Sequence, residues 1–102
     1  MKSAKVAVVH GSGNVFRDLG YENADTEQLK SILAAQLIKL LDDAGLTVRE
    51  AQRRTGTAAA DFSRIRNADL DRFTVDRLIS VVNRLGARVE IKVKVRREKA
   101  VA

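Results

Sequence analysis

Between Leu29 and Ala44, apolar residues recur at Leu29, Ile32, Leu33, Leu37, Leu40, Leu41 and Ala44. Steps of three and four put these side chains on one stripe of a helix. Asp25 stands ahead of the stripe as a candidate N-cap, with Gln28 in the capping-box position. Gly45 is placed to end the helix in the left-handed conformation. Thr47 then predicts a cap for a short second helix reaching Thr55, followed by Gly56. Thr57 predicts a cap for a third helix, Ala58 to about Asn67, with Phe62 and Ile65 on its inner face. A link from Ala68 to Phe73 leads to Thr74, which caps a fourth helix with Leu78, Ile79, Val82 and Leu85 turned inward. Asp76 lies in its first turn, where a negative charge suits the helix dipole, and Gly86 stops it.

The period then changes. From Arg88 to Arg96, Val89, Ile91, Val93 and Val95 alternate with charged residues, the signature of a strand with one buried face. A lone strand leaves its backbone groups unpaired. Its partner is either Lys5 to His10, a short β-branched run near the start, or the same strand of a second chain. The second choice makes a two-fold homodimer. Ahead of the helices, Gly11-Ser12-Gly13-Asn14 reads as a turn, and Val15, Phe16, Leu19 and Tyr21 as anchors folding the arm onto the core. The expected fold is mainly α: a bundle of four to five helices with a C-terminal strand and a short N-terminal strand. Residues 1–24 form an N-terminal arm, 25–87 the helical domain, and 88–102 a strand and basic tail suited to dimerisation.

Charge sharpens this picture. The net charge is +6 over 102 residues, but it is not spread evenly. Residues 46–67 carry +3 and residues 88–102 carry +4, while residues 1–45 carry −1 and residues 68–87 are neutral. Two basic segments suggest a polyanionic partner, most commonly DNA. With no cysteine there is neither a disulfide framework nor a thiolate metal site, which fits a cytoplasmic protein. The run Val6 to Val9 is too short for a signal peptide core, and nothing approaches the roughly 20 apolar residues of a membrane span. His10 is the single histidine and has no carboxylate cluster near it, so no metal is expected. His10, Ser12 and Asp18 do not amount to a triad, and Gly11-Ser12-Gly13 lacks the context of a nucleotide loop. No paired acid and base stands out, so an enzyme is not expected and no cofactor is implied.

The informative stretch is Leu46 to Asn67, LTVREAQRRTGTAAADFSRIRN. Two short helices joined by a tight turn at a glycine are the pattern of a helix-turn-helix, whose second helix enters the major groove of duplex DNA. Ala58, Ala59 and Ala60 allow close approach to the groove floor, and their methyls can pack on thymine methyls. Ser63 and Arg64 lie one turn on, and Arg64 can hold a guanine through two hydrogen bonds. Arg49, Arg53, Arg66 and Arg72 are expected at phosphates, with the N–H groups after Thr57. Val48 and Asn67 complete the candidate DNA-binding set. The plainer readings are a helical hairpin in a bundle, a solvated face for Arg53 and Arg54, and helix propensity for the alanines. For Lys92, Lys94, Arg96, Arg97 and Lys99 the plain reading is a solubilising strand face.

These residues resemble the Xre-type, lambda-repressor-like helix-turn-helix family, and in particular a HigA-like antitoxin branch. The resemblance rests on Gly11-Ser12-Gly13-Asn14-Val15-Phe16 with Asp18-Leu19-Gly20, on Asp71-Arg72-Phe73-Thr74 with Asp76-Arg77-Leu78, and on Leu46-Thr47 followed by Gly56. It spans about Gly11 to Arg96. It implies a transcriptional repressor of its own operon, often one that neutralises a toxin protein; a dimer would place two recognition helices in successive major grooves of a palindromic operator. The sequence departs from the family where Gln52 replaces a small residue and Thr55 an apolar one. Glutamines near the start of the recognition helix give way to Ala59 and Ala60, and a glycine to Ala68. Gln52 and Thr55, taken to face the companion helix, require hydrogen-bond partners there. Together with the missing glutamines they also support an alternative: a protein-binding antitoxin whose helix-turn-helix is vestigial.

Overall fold

A computed structural model describes residues 23–97. The strand expected at Lys5 to His10, the turn at Gly11 to Asn14 and the anchors Val15, Phe16, Leu19 and Tyr21 lie outside the described residues. So does the Gly11 to Gly20 part of the family resemblance.

Four helices are described: α1 (Ala24–Asp43), α2 (Val48–Thr55), α3 (Ala59–Arg66) and α4 (Val75–Arg84). The helical stripe of α1 is real, but its start differs from expectation. Asn23 is the N-cap residue, in the left-handed region at φ 58, and Asp25 falls inside the first turn. There its charge faces the positive end of the helix dipole. Leu33, Ala34, Leu37 and Leu41 are buried along α1, while Ala44 is exposed beyond its end. Leu29 and Leu40 pack at the edge of the core. The helix closes with Gly45 N–H donating to Asp42 O and Leu46 N–H donating to Leu41 O, which satisfies two carbonyls the helix leaves open.

α1 packs most extensively against α4 and also meets α3, while α2 lies against α3 and α4. Phe62, Leu37, Leu41, Ile65 and Leu78 are the largest fully buried side chains. The inner face of α4 is Leu78, Val81 and Val82, with Ile79 and Leu85 at the margin; Val81 is an addition to the core residues expected from the pattern. Leu70 and Phe73 bury the link between α3 and α4. Lys30 of α1 secures that link. It is 6% exposed, its Nζ donates to Leu70 O at 3.3 Å and Phe73 O at 3.2 Å, and Glu27 pairs with it at 3.0 Å. The buried ammonium therefore has its donors matched, as its desolvation demands.

The expected C-terminal strand is not present among the described residues. Residues 85–97 run from the end of α4 with no strand pairing. Val89 packs against the core, but Ile91, Val93 and Val95 are exposed. The alternation holds in the sequence; the partner that would bury its apolar face does not lie among residues 23–97. No helix among these residues is long and apolar enough to cross a membrane.

Candidate nucleic-acid interface

The interface is assembled by how α2 and α3 are tied together. α2 starts at Thr47, whose Oγ1 accepts from Glu50 N–H at 3.2 Å. One turn in, Ala51 is fully buried. Ala51, not Gln52, is the small residue that allows close packing against the companion helix. Thr55 is also buried, yet its hydroxyl has both partners it needs. It donates to Ala51 O at 2.7 Å and accepts from Thr57 N–H at 3.1 Å. Gly56 then takes φ 74, a left-handed value open to glycine at little cost. Arg84 of α4 reaches across and donates from Nη1 to Thr55 O at 2.7 Å, pinning the turn to the bundle.

The start of α3 corrects the expectation for Thr57. The helix begins at Ala59, with Ala58 in the N-cap position and no side-chain cap of its own. Thr57 is buried beneath the turn, and its N–H is spent on Thr55. The capping oxygen comes instead from α2: Gln52 Oε1 accepts from Ala59 N–H at 3.0 Å. Gln52 is itself exposed. The two residues that looked like departures from the family pattern thus fix the angle and register of α3.

On α3, Phe62 and Ile65 face the core, and Ala58, Ala60, Ser63, Arg66 and Asn67 are exposed. Ala59 is half-buried. The outward surface near the helix start is small and smooth, and no acidic side chain of α3 interrupts it, because Asp61 is turned inward and buried. Asp61 gathers two arginines. Arg64 Nη1 donates to Oδ1 at 2.8 Å, and Arg77 Nη2 of α4 donates to Oδ2. Arg77 also lies over the Phe73 ring at 4.9 Å, a cation–π contact. Burial alone would raise the Asp61 pKa. The hydrogen bonds from Arg77 and Arg64, with their charges, outweigh it and hold the carboxyl below its usual value.

The other expected site residues fall into three groups. Arg49 and Arg53 are exposed on α2 and, with Gln52, line one shallow depression. Among the described residues, neither they nor Arg54 or Arg72 has an ion-pair partner. Arg66 is exposed but bridges to Asp42 at the end of α1, 2.8 Å away. Arg64 is half-buried, with one nitrogen committed to Asp61, and Val48 packs against the core. Gln52 joins the start of α3, through Ala59, to the stretch of α2 that carries Arg49 and Arg53, and Ser63 lies one turn along α3. Val48 and Thr57 are drawn inward. Among the positioning residues, Asp61 and Arg84 were not singled out from the sequence, Gln52 was noted only as a departure from the family pattern and Arg77 only as part of a family segment.

This arrangement, two short helices at a glycine turn with the second offering an open face, is a helix-turn-helix. A family model described as "Helix-turn-helix domain" matches residues 15–94. A solved structure titled "Putative XRE Family Transcriptional Regulator" matches with a TM-score of 0.66 and 32% sequence identity, over 79% of this chain and 91% of that one. No curated protein matches the chain. The chain belongs to the helix-turn-helix domain family, in its XRE type.

Proposed function

We propose that this protein is a sequence-specific transcriptional regulator that binds double-stranded DNA, without enzymatic activity, in the cytoplasm. The observation that carries the reading is the exposed start of α3. Ala58, Ala60 and Ser63 are exposed there, and Gln52, which caps the helix at Ala59, shares a depression on α2 with Arg49 and Arg53, which have no carboxylate partner among the described residues. A low surface admits the helix to the major groove, and unpaired guanidinium groups are available to phosphates without first breaking an ion pair. The XRE-type relative supports the same reading through its title as a transcriptional regulator.

In this reading Ala59, Ala60 and Ser63 face the bases, with Asn67 and Arg66 at the far end of the helix. Arg49, Arg53 and Arg72 hold phosphates. Arg64 keeps one nitrogen on Asp61 and offers the rest of its guanidinium to a guanine. Two copies bind together, placing the α3 helices in successive major grooves about 34 Å apart on a palindromic operator. The Asp71-Arg72-Phe73-Thr74 and Asp76-Arg77-Leu78 segments support the finer assignment, the autorepressing antitoxin of a toxin–antitoxin pair. Gln52 and Thr55 no longer favour the vestigial alternative, since their hydrogen bonds are satisfied within the motif; the missing glutamines at Ala59 and Ala60 remain its support.

The test is a binding titration of the chain with its own promoter duplex and with a scrambled duplex, across a salt series. Tighter binding to the promoter, and a log–log salt slope of roughly −0.9 for each phosphate contacted, are expected. Equal affinity for both duplexes at every salt concentration would overturn sequence-specific regulation.

A further inference from the structure

We propose that residues 90–96 form an antiparallel strand pair with the same residues of a second copy of this chain, with the two-fold axis at Val93. Ile91, Val93 and Val95 are 50%, 79% and 87% exposed. All three are β-branched and share one face of an extended chain. Val89, in the same alternation, already packs against the core, whereas Ile91, Val93 and Val95 have no such cover. Nothing among residues 23–97 pairs with this backbone. An exposed edge of this kind is a ready template for a second strand.

The sequence selects the register. Directly opposed residues in an antiparallel pair put their side chains on the same face. An axis falling between two residues would oppose every valine to a charged residue, so the axis must lie on a residue. At Val93, that residue meets its own copy, Ile91 meets Val95, and Glu90 meets Arg96 twice over. The unfavourable match is Lys92 opposite Lys94, which the axis also makes twice. An axis at Lys92 joins Glu90 to Lys94, but it sets Lys92 on its own copy, puts Arg88 opposite Arg96, and needs Val89, which the bundle already holds. An axis at Ile91 needs Val89 and Ala87, which the bundle already holds. Axes at Lys94 and Val95 oppose Ile91 and Val93, respectively, to Arg97. Only the Val93 axis uses the three exposed residues and no others on the apolar face, and joins opposite charges beside them.

The chain has no cysteine, so single substitutions report register directly. In the full-length protein under mild oxidation, Val93→Cys should form a disulfide dimer at least about tenfold faster than either Ile91→Cys or Val95→Cys. Those two positions lie roughly 13 Å from their own copies in this register, beyond disulfide reach. An equimolar mixture of Ile91→Cys and Val95→Cys chains should cross-link to each other. By light scattering the unsubstituted chain should have twice the monomer mass. Glu90→Arg should weaken that dimer, and adding Arg96→Glu to it should restore it. A monomer mass, a Val93→Cys chain that stays reduced, or Ile91→Cys cross-linking as fast as Val93→Cys would each overturn the proposal. None of these readouts uses DNA, so failure here is distinguishable from failure of the DNA-binding reading.

Discussion

Ala68 holds a left-handed conformation, φ 57, where α3 ends. Its N–H donates to Ile65 O and the next N–H, of Asp69, to Arg64 O. This closure normally falls to glycine because a Cβ is strained there. Ala68→Gly is therefore expected to stabilise the fold by about 1 kcal/mol, the relief of strain exceeding the added freedom of the unfolded chain. A urea midpoint that rises with an unchanged slope checks it. Asp61 sets a second expectation. Its carboxyl is held below the usual value when folded, so its stabilising contribution is complete above about pH 4, the ordinary aspartate value. That contribution drains away as pH falls through the lowered folded-state value. Asp61→Asn should cost about 2 kcal/mol at neutral pH, since Arg64 and Arg77 lose their counter-charge. It should also flatten the acid limb of stability against pH below about pH 4, as measured by melting at a series of pH values. The departure at Ala68 was legible through the family resemblance, which implies a glycine after Asn67. Asp61 was not: a carboxylate three residues before an arginine reads as an ordinary surface pair. Its second partner is Arg77, sixteen residues away on another helix.

Gln52 shows the same limit at the scale of the element. Thr47 and Thr74 were readable as caps because each binds an N–H three residues along its own chain. Thr57 has the same residue type in a similar place but sinks under the turn, because the oxygen that caps α3 comes from α2. Local rules assign a cap from the nearest suitable side chain and miss one supplied by a neighbouring helix. Gln52→Ala is expected to cost about 1 kcal/mol of stability, the usual scale of a lost cap. In DNA titrations it should weaken promoter and scrambled duplexes together, because it loosens the placement of α3 rather than a base contact. Arg49→Ala should leave melting unchanged within about 0.5 kcal/mol. In the same titrations it should weaken all duplexes alike and flatten the salt slope by about 0.9. A loss confined to the promoter duplex would instead place Arg49 at a base.

For the molecule as far as residues 23–97 describe it, helix number and order could be read from apolar period together with threonine caps and glycine breaks. Four amphipathic segments with polar breaks have few ways to bury their stripes, and 23–87 fold accordingly. The terminal segment could not be placed from the sequence for a physical reason. Period-two alternation requires a partner strand but does not say which chain supplies it. The candidate interface was legible as a motif and less so as a residue set, because exposure within a short helix depends on which turn faces the bundle. The central claim, that the open face at the start of α3 enters duplex DNA, is tested most directly by Ala60→Glu. Ala60 is exposed in the first turn of α3, where a glutamate suits the helix dipole and should leave the melting temperature unchanged or slightly raised. The measurement is the affinity of this variant for the promoter duplex by fluorescence anisotropy. The account predicts a loss of at least about tenfold, from bulk and negative charge placed against the groove. Wild-type affinity in a fully folded Ala60→Glu protein would contradict it.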